Sequence, residues 1–232
     1  MKHLSLPLLA CAALAFSHSV RAQSDEGPSA GDWEFRIGPD FVLSKTVGFK
    51  GGSSLKLDSS TGGKIGFAYY MTDAFSLGAD FAYGRSNFSG TVVGNSSGTP
   101  GQPPDTATVE NGRAELSTFN FTATYHLLEG PLRPFGTLGL GYNWTSTNIA
   151  VGPPVTGCWW DPWYGYICSG YQPTRGGSTL TYQLGVGVQY NFSRQFAIDA
   201  DYKETWIQMH NANGTPGFGS VEVMFIFRLT GE

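Results

Sequence analysis

The sequence predicts an all-β chain, an eight-stranded antiparallel barrel that crosses a membrane, and three observations carry that reading. From Gly31 onward, segment after segment alternates with a period of two, large apolar residues against small or polar ones. The polar side of these segments is mostly Gly, Ala, Ser and Thr with a limited set of charges, which suits a cramped interior better than a solvent face. The connections alternate long and short along the chain, as they do when tight turns sit on one side of a membrane and long loops on the other.

Taken in order, the first segment sets Trp33, Phe35, Ile37, Phe41 and Leu43 against Glu34, Arg36, Gly38, Asp40 and Ser44. The second, about Gly63 to Met71, opposes Ile65, Phe67 and Tyr69 to Lys64, Gly66 and Ala68. A short turn at Thr72, Asp73 and Ala74 leads to the third, Phe75 to Arg85, with Leu77, Phe81 and Tyr83 opposite Ser76, Gly78 and Asp80. The fourth spans about Arg113 to Leu127, the fifth Phe135 to Ser146, the sixth Thr179 to Tyr190, the seventh Phe196 to Trp206 and the eighth Ser220 to Leu229, all with the same alternation. The long connections fall at about 46–62, 86–112, 147–176 and 207–217. The second of these, "SGTVVGNSSGTPGQPPDTATVENG", is expected to be a mobile, solvated loop.

A soluble sandwich would turn its apolar faces inward and spread large charges over the outside. The reverse fits here: the aromatic and aliphatic faces look into lipid, and the polar faces line a lumen. Arg36, Lys64, Lys203 and Arg228 are then predicted to pair inside the barrel with Glu34, Asp40, Asp80, Asp199, Asp201 and Glu222. Such a network would fix strand register and plug the lumen; the alternative is a narrow ion path. Eight strands enclose just enough room for side chains, which argues against a general porin. Aromatics gather near both strand ends, with Trp33, Tyr69, Phe75, Tyr125, Tyr190 and Phe196 toward the short turns and Tyr83, Trp144, Tyr182 and Trp206 toward the long loops. They predict two interfacial girdles.

At the N-terminus, Lys2 and His3 precede an apolar run from Leu4 to Phe16, and Val20, Arg21 and Ala22 supply a cleavage site. Residues 1–22 read as a secretory signal, 23–30 as a short N-terminal segment and 31–232 as the barrel domain. A lipoprotein alternative stands beside it, since Leu8-Leu9-Ala10-Cys11 looks like a lipobox. Cleavage after Ala22 leaves 18 acidic against 12 basic residues, a net charge of −6, with no basic block. Nucleic acid is not an expected partner.

Export also bears on Cys158 and Cys168, the two cysteines left in the mature chain, which are expected to form a disulfide. They bracket "GCWWDPWYGYICSG" in the third and longest external loop, where Trp159, Trp160, Trp163, Tyr164 and Tyr166 fit no strand or helix periodicity. One reading folds these aromatics onto the barrel rim as a cap. The other presents them as a rigid surface that binds an extracellular ligand, another cell or lipopolysaccharide. Metal is not expected, because the segment offers only Asp161 as a further ligand.

Several stretches resemble the small OmpA/OmpW-type outer-membrane barrels of Gram-negative bacteria: "GDWEFRIG", "YYMTDAFSLGADFAYG", "PLRPFGTLGLGYNW", "LGVGVQYNFSRQFAIDADYK" and the closing "VEVMFIFRL". The resemblance implies a monomeric barrel in the cell outer membrane, in contact with its lipid and lipopolysaccharide. It also implies folding by the barrel assembly machinery, with Phe225 or Phe227 as the C-terminal signal. OmpW-like members pass small hydrophobic molecules through an apolar lumen, whereas the inward face here is polar and charged. No peptidoglycan-binding module is expected after the eighth strand.

An enzyme is not expected, nor any cofactor. The mature chain has only His126 and His210, and the sequence neighbours of His210, Glu204 and Ser220, form no recognisable motif. The function that fits best is a structural or surface-interaction scaffold acting through its external loops, with an OmpW-like channel for small solutes as the alternative.

Overall fold

The computed structural model describes residues 27–93, 106–153, 155–209 and 211–230. The predicted signal segment, Cys11 with it, lies outside the described residues, as do 94–105 of the second long loop and His210. Eight long strands close the ring: β1 (Trp33–Val42), β4 (Ser60–Tyr70), β5 (Phe75–Val93), β6 (Thr106–His126), β7 (Leu132–Ala150), β10 (Thr174–Asn191), β11 (Phe196–Ile207) and β12 (Gly217–Leu229). Each pairs antiparallel with its chain neighbour, and β1 closes on β12. Two small hairpins, β2–β3 (Lys45–Gly48, Ser54–Leu57) and β8–β9 (Val155–Asp161, Gly165–Tyr171), rise from the first and third long connections.

The registers keep like faces in line. Phe35 stands beside Phe67 on one flank and Phe227 on the other, and Leu140 lies between Phe121 and Tyr182. Half or more of the surface of Trp33, Phe67, Phe121, Leu138 and Phe225 is open, while Glu34, Lys64, Asp80, Asp199, Lys203 and Glu222 on the opposite faces are buried. That is the inside-out distribution a lipid solvent selects. Both girdles form, with Trp33 against Tyr69 at 5.0 Å toward the short turns and Tyr182 against Trp206 at 5.2 Å toward the long loops. The lumen is crowded enough to demand glycine: a Cβ on Gly187 would collide with Asp201 and the Phe135 ring.

Two residue pairs are missing from the seam between the first and last strands. Pairing runs from Trp33–Leu229 to Ile37–Phe225 and resumes in the same register at Asp40–Glu222. Leu43 N donates to Gly219 O, so the odd-numbered backbone groups of β1 face β12, and Pro39 has no N–H to offer there. The Val223 carbonyl instead crowds the Cα of Gly38, where a Cβ would strike it.

The long connections differ from the loops that the sequence predicts. The first carries the β2–β3 hairpin, with β3 hydrogen-bonded to β5 over Ser54–Thr91 to Leu57–Phe88. In the second, β5 continues to Val93 and β6 begins at Thr106, so 86–93 and 106–112 are strand rather than mobile loop. Thr and Val extend the alternation there, and β3 covers one edge of the added sheet. In the third, Trp159 and Trp160 do lie on a strand, while Trp163 sits in the turn that follows it. The β8–β9 ribbon has solvent beside it, so no alternation of polarity is required of it, and Gly165 closes its turn at φ +77°.

Candidate functional site: a filled lumen beneath an aromatic hairpin

Two ion-paired layers fill the lumen within the membrane. Nearer the short turns, Glu34 on β1 is the hub: its Oε2 accepts from Arg36 Nη2 at 2.7 Å, and its Oε1 from Arg228 Nε at 2.7 Å, Tyr70 OH at 3.1 Å and Gln189 Nε2 at 3.2 Å. Arg36 reaches on to Asp199 at 4.0 Å, and Arg228 donates to Asn191 Oδ1 at 2.6 Å. In the next layer Glu222 on β12 bridges two lysines, Lys64 at 3.0 Å and Lys203 at 2.6 Å. Asp80 completes the Lys64 end at 3.3 Å and Asp201 the Lys203 end at 3.0 Å. Of the ten charges predicted to meet in the lumen, Asp40 alone joins no ion pair among the described residues.

The short-turn mouth is closed by Arg133, which donates from Nε to the Leu128 carbonyl at 3.3 Å and from Nη2 to the Asp73 carbonyl. His126 stacks beside Tyr70 and Phe135 at the same level. At the long-loop end the interior changes character. Val47 and Leu57 from the first hairpin pack with Phe88, Ala114, Ile207, Ala212 and Phe218 into an apolar cluster across the mouth. A cavity of about 90 Å³ lies between this roof and the polar floor of Asp40, Lys64, Asn120, Gln183 and Glu222. That is room for a few waters or one small solute.

Sequence reasoning missed several of these groups. Tyr70 continues the inward parity of Lys64, Gly66 and Ala68, so the polar face could have been read one step further. Gln189 and Asn120 were on the right faces without being singled out. Phe88 and Phe218 lie beyond the predicted strands, and the short stretches "KTVG" and "SLKL" give little signal of their own.

Over this barrel stands the β8–β9 hairpin. Cys158 and Cys168 are directly opposed in its ladder and joined by a disulfide. Trp160 pairs with Tyr166, ring centroids 6.2 Å apart and edge to face. Asp161 Oδ1 accepts from the backbone amides of Trp163 and Tyr164 at 2.8 and 3.0 Å, which shapes the turn. The result exposes Trp160 by 68%, Trp163 by 90%, Tyr164 by 83% and Tyr166 by 72%. These four side chains project rather than cap the barrel. Trp159 lies opposite Ile167, and its side chain falls outside the described residues.

Comparison with known proteins agrees with this geometry. The chain is similar in fold to the outer membrane protein OprG of Pseudomonas aeruginosa, with 14% identity over 89% of this chain and 100% of that one and a TM-score of 0.51. Neisserial surface protein A matches with 15% identity over 87% of this chain and 99% of that one, at a TM-score of 0.50. Ail, the attachment invasion locus protein of Yersinia pestis, matches with 16% identity over 86% and 99% of the two chains, at a TM-score of 0.47. No curated protein matches in sequence. The family model described as outer membrane protein beta-barrel domain matches residues 7–228. The chain belongs to that family, and it is a protein of the cell outer membrane.

Proposed function

We propose that this barrel is a rigid, non-enzymatic scaffold that presents its external loops for surface interaction, and that the β8–β9 hairpin is its principal contact. The observation that carries this reading is the exposure of Trp160, Trp163, Tyr164 and Tyr166 on a ribbon held by the Cys158–Cys168 disulfide. Aromatics already ordered in the free state lose little entropy on binding, which makes them effective anchors. The ion-paired lumen supports a scaffold over a conduit. In keeping with this role, the barrel acts as a monomer, is assembled by the barrel assembly machinery and needs no cofactor.

The test is adhesion of cells displaying the wild-type protein or a W160A/W163A/Y164A/Y166A variant to immobilised host-cell or bacterial surfaces, with surface expression matched. Loss of adhesion in the variant supports the reading; equal adhesion refutes it. An OmpW-like route for small hydrophobic solutes is the second reading, favoured by the apolar cluster at the long-loop mouth and the cavity beneath it. Solute uptake that persists in the hairpin variant and falls on filling the cavity with Ala82→Leu would favour this route.

A further inference from the structure

We propose that the β8–β9 hairpin seats its tip in the headgroup layer of a phosphatidylcholine bilayer, the surface of another cell, with its exposed rings against the choline ammonium groups. The inference rests on the scaffold reading above and names the partner of that hairpin. Charge selects the surface. Between Val155 and Tyr171 there is no Lys, Arg or His, and the single acid is Asp161. The nearest base along the chain, Arg175, belongs to β10 at the root of the ribbon. Anionic surfaces are gripped by clusters of Lys and Arg, so a sulfated sugar or an acidic lipid finds nothing to hold at this tip. A neutral or zwitterionic surface meets no such obstacle.

Four exposed rings remain, Trp160, Trp163, Tyr164 and Tyr166. Trp and Tyr are the two residue types that settle at the headgroup level of a bilayer, each an apolar body with one polar atom. Their faces attract cations, and a quaternary ammonium is the ligand cation that clustered aromatic rings recognise. Phosphatidylcholine presents that group outermost. The arrangement suits a surface rather than one stacked sugar ring. Trp160 and Tyr166 share the ribbon face that carries the disulfide, and their planes are 65° apart, so they make no flat platform. Trp163 and Tyr164 carry the rings around the end of the ribbon, where their amides hold Asp161 Oδ1. A carboxylate fixed among four π faces further favours a cationic group. Position agrees with chemistry: β7 continues from Trp144 in the girdle to Ala150, about 20 Å of strand, and the ribbon starts beyond that point as a separate sheet. Its rings are therefore carried toward a facing membrane.

The experiment holds the folded mature chain in phosphatidylglycerol nanodiscs, so that its own bilayer carries no choline. These are mixed with vesicles of phosphatidylcholine or of digalactosyl diacylglycerol, both without net charge. Co-flotation measures binding, and tryptophan quenching by brominated phosphatidylcholine reports contact of the rings with that bilayer. We expect binding to phosphatidylcholine, with quenching, and about tenfold weaker binding to the galactolipid. The W160L/W163L/Y164L/Y166L variant, which keeps apolar side chains and loses the π faces, is expected to lose about tenfold on phosphatidylcholine, and K45Q/K50Q in the first hairpin to bind as wild type. No wild-type binding to phosphatidylcholine overturns the proposal. Equal binding to the galactolipid overturns it in favour of a sugar surface, and full binding by the leucine variant overturns it in favour of apolar contact alone. Adhesion that depends on the four aromatics while phosphatidylcholine goes unbound removes the lipid partner and leaves the scaffold reading standing. Heat-modifiable gel mobility reports folding; if the fourfold variant does not fold, Trp163→Leu at the tip is measured and is expected to weaken both binding and quenching.

Discussion

Lys203 Nζ lies 2.6 Å from Glu222 Oε2, yet the two residues are not opposite one another in the β11–β12 ladder: Lys203 faces Ser220, and Glu222 faces Asp201. Two carboxylates are thus directly opposed across a ladder, an arrangement that is destabilising by itself. The lysine reaches diagonally to hold them together. Removing Lys203 leaves Glu222 and Asp201 against a single remaining base, Lys64. Removing the charge of Glu222 leaves each lysine with its own aspartate. Lys203→Met is therefore expected to destabilise the barrel by about 3 kcal/mol, Glu222→Gln by clearly less, and Asp201→Asn to recover part of the Lys203→Met loss. Urea titration followed by heat-modifiable gel mobility gives the ranking, and an inverted order would refute it.

The disulfide should matter to the hairpin and not to the ring. Cys158 and Cys168 are ten residues apart in sequence and lie outside the eight-stranded sheet. Closing so short a loop stabilises the ribbon by about 2–3 kcal/mol. The C158S/C168S variant is expected to be cut faster by chymotrypsin after Trp160, Trp163, Tyr164 or Tyr166, with the barrel's melting temperature unchanged.

Lumen glycines should fail on enlargement where outward residues do not. Gly187 faces Asp201 and Phe135, and its outward neighbour Val186 is well exposed. Gly187→Val is expected to abolish the heat-modifiable form, and Val186→Leu to keep it.

The apolar cluster over the mouth should hold the first hairpin in place. Phe88→Ala removes a buried ring that Val47, Leu57 and Phe218 pack around, at a cost of about 3–4 kcal/mol. Hydrogen exchange is expected to quicken in β2 and β3 and to stay slow in the membrane-spanning parts of β11 and β12. Uniform loss of protection across the ring would contradict the separation of this cluster from the barrel.

Much of the membrane-level structure was legible in the sequence, because a bilayer forces both backbone closure and a strict two-face code. Parity placed Glu34, Arg36, Lys64, Asp80, Asp199, Asp201, Lys203, Glu222 and Arg228 in the lumen, and it failed at Asp40 only in the matter of an ion-pair partner. Beyond the girdles water removes that constraint, and legibility falls with it. Trp160 sits on a strand with no periodic signal because its ribbon has solvent beside it. Val47 and Leu57 lie in four-residue strands, too short to show a period, and their apolar partners Phe88 and Phe218 come from strands that run further than alternation alone indicated.

The gap at Pro39 bears on how the molecule would yield to force. Both ends of the described chain emerge at the short-turn rim, where Trp33 and Leu229 are paired, so tension applied between them peels β1 from β12 one rung at a time. The load passes through five pairs to Ile37 and Phe225, then meets a stretch where β1 offers no amide hydrogen to β12, and regains purchase at Asp40 and Glu222. Mechanical opening of the ring would thus proceed in two bursts separated by a slack interval, and the proline sets where the first burst ends.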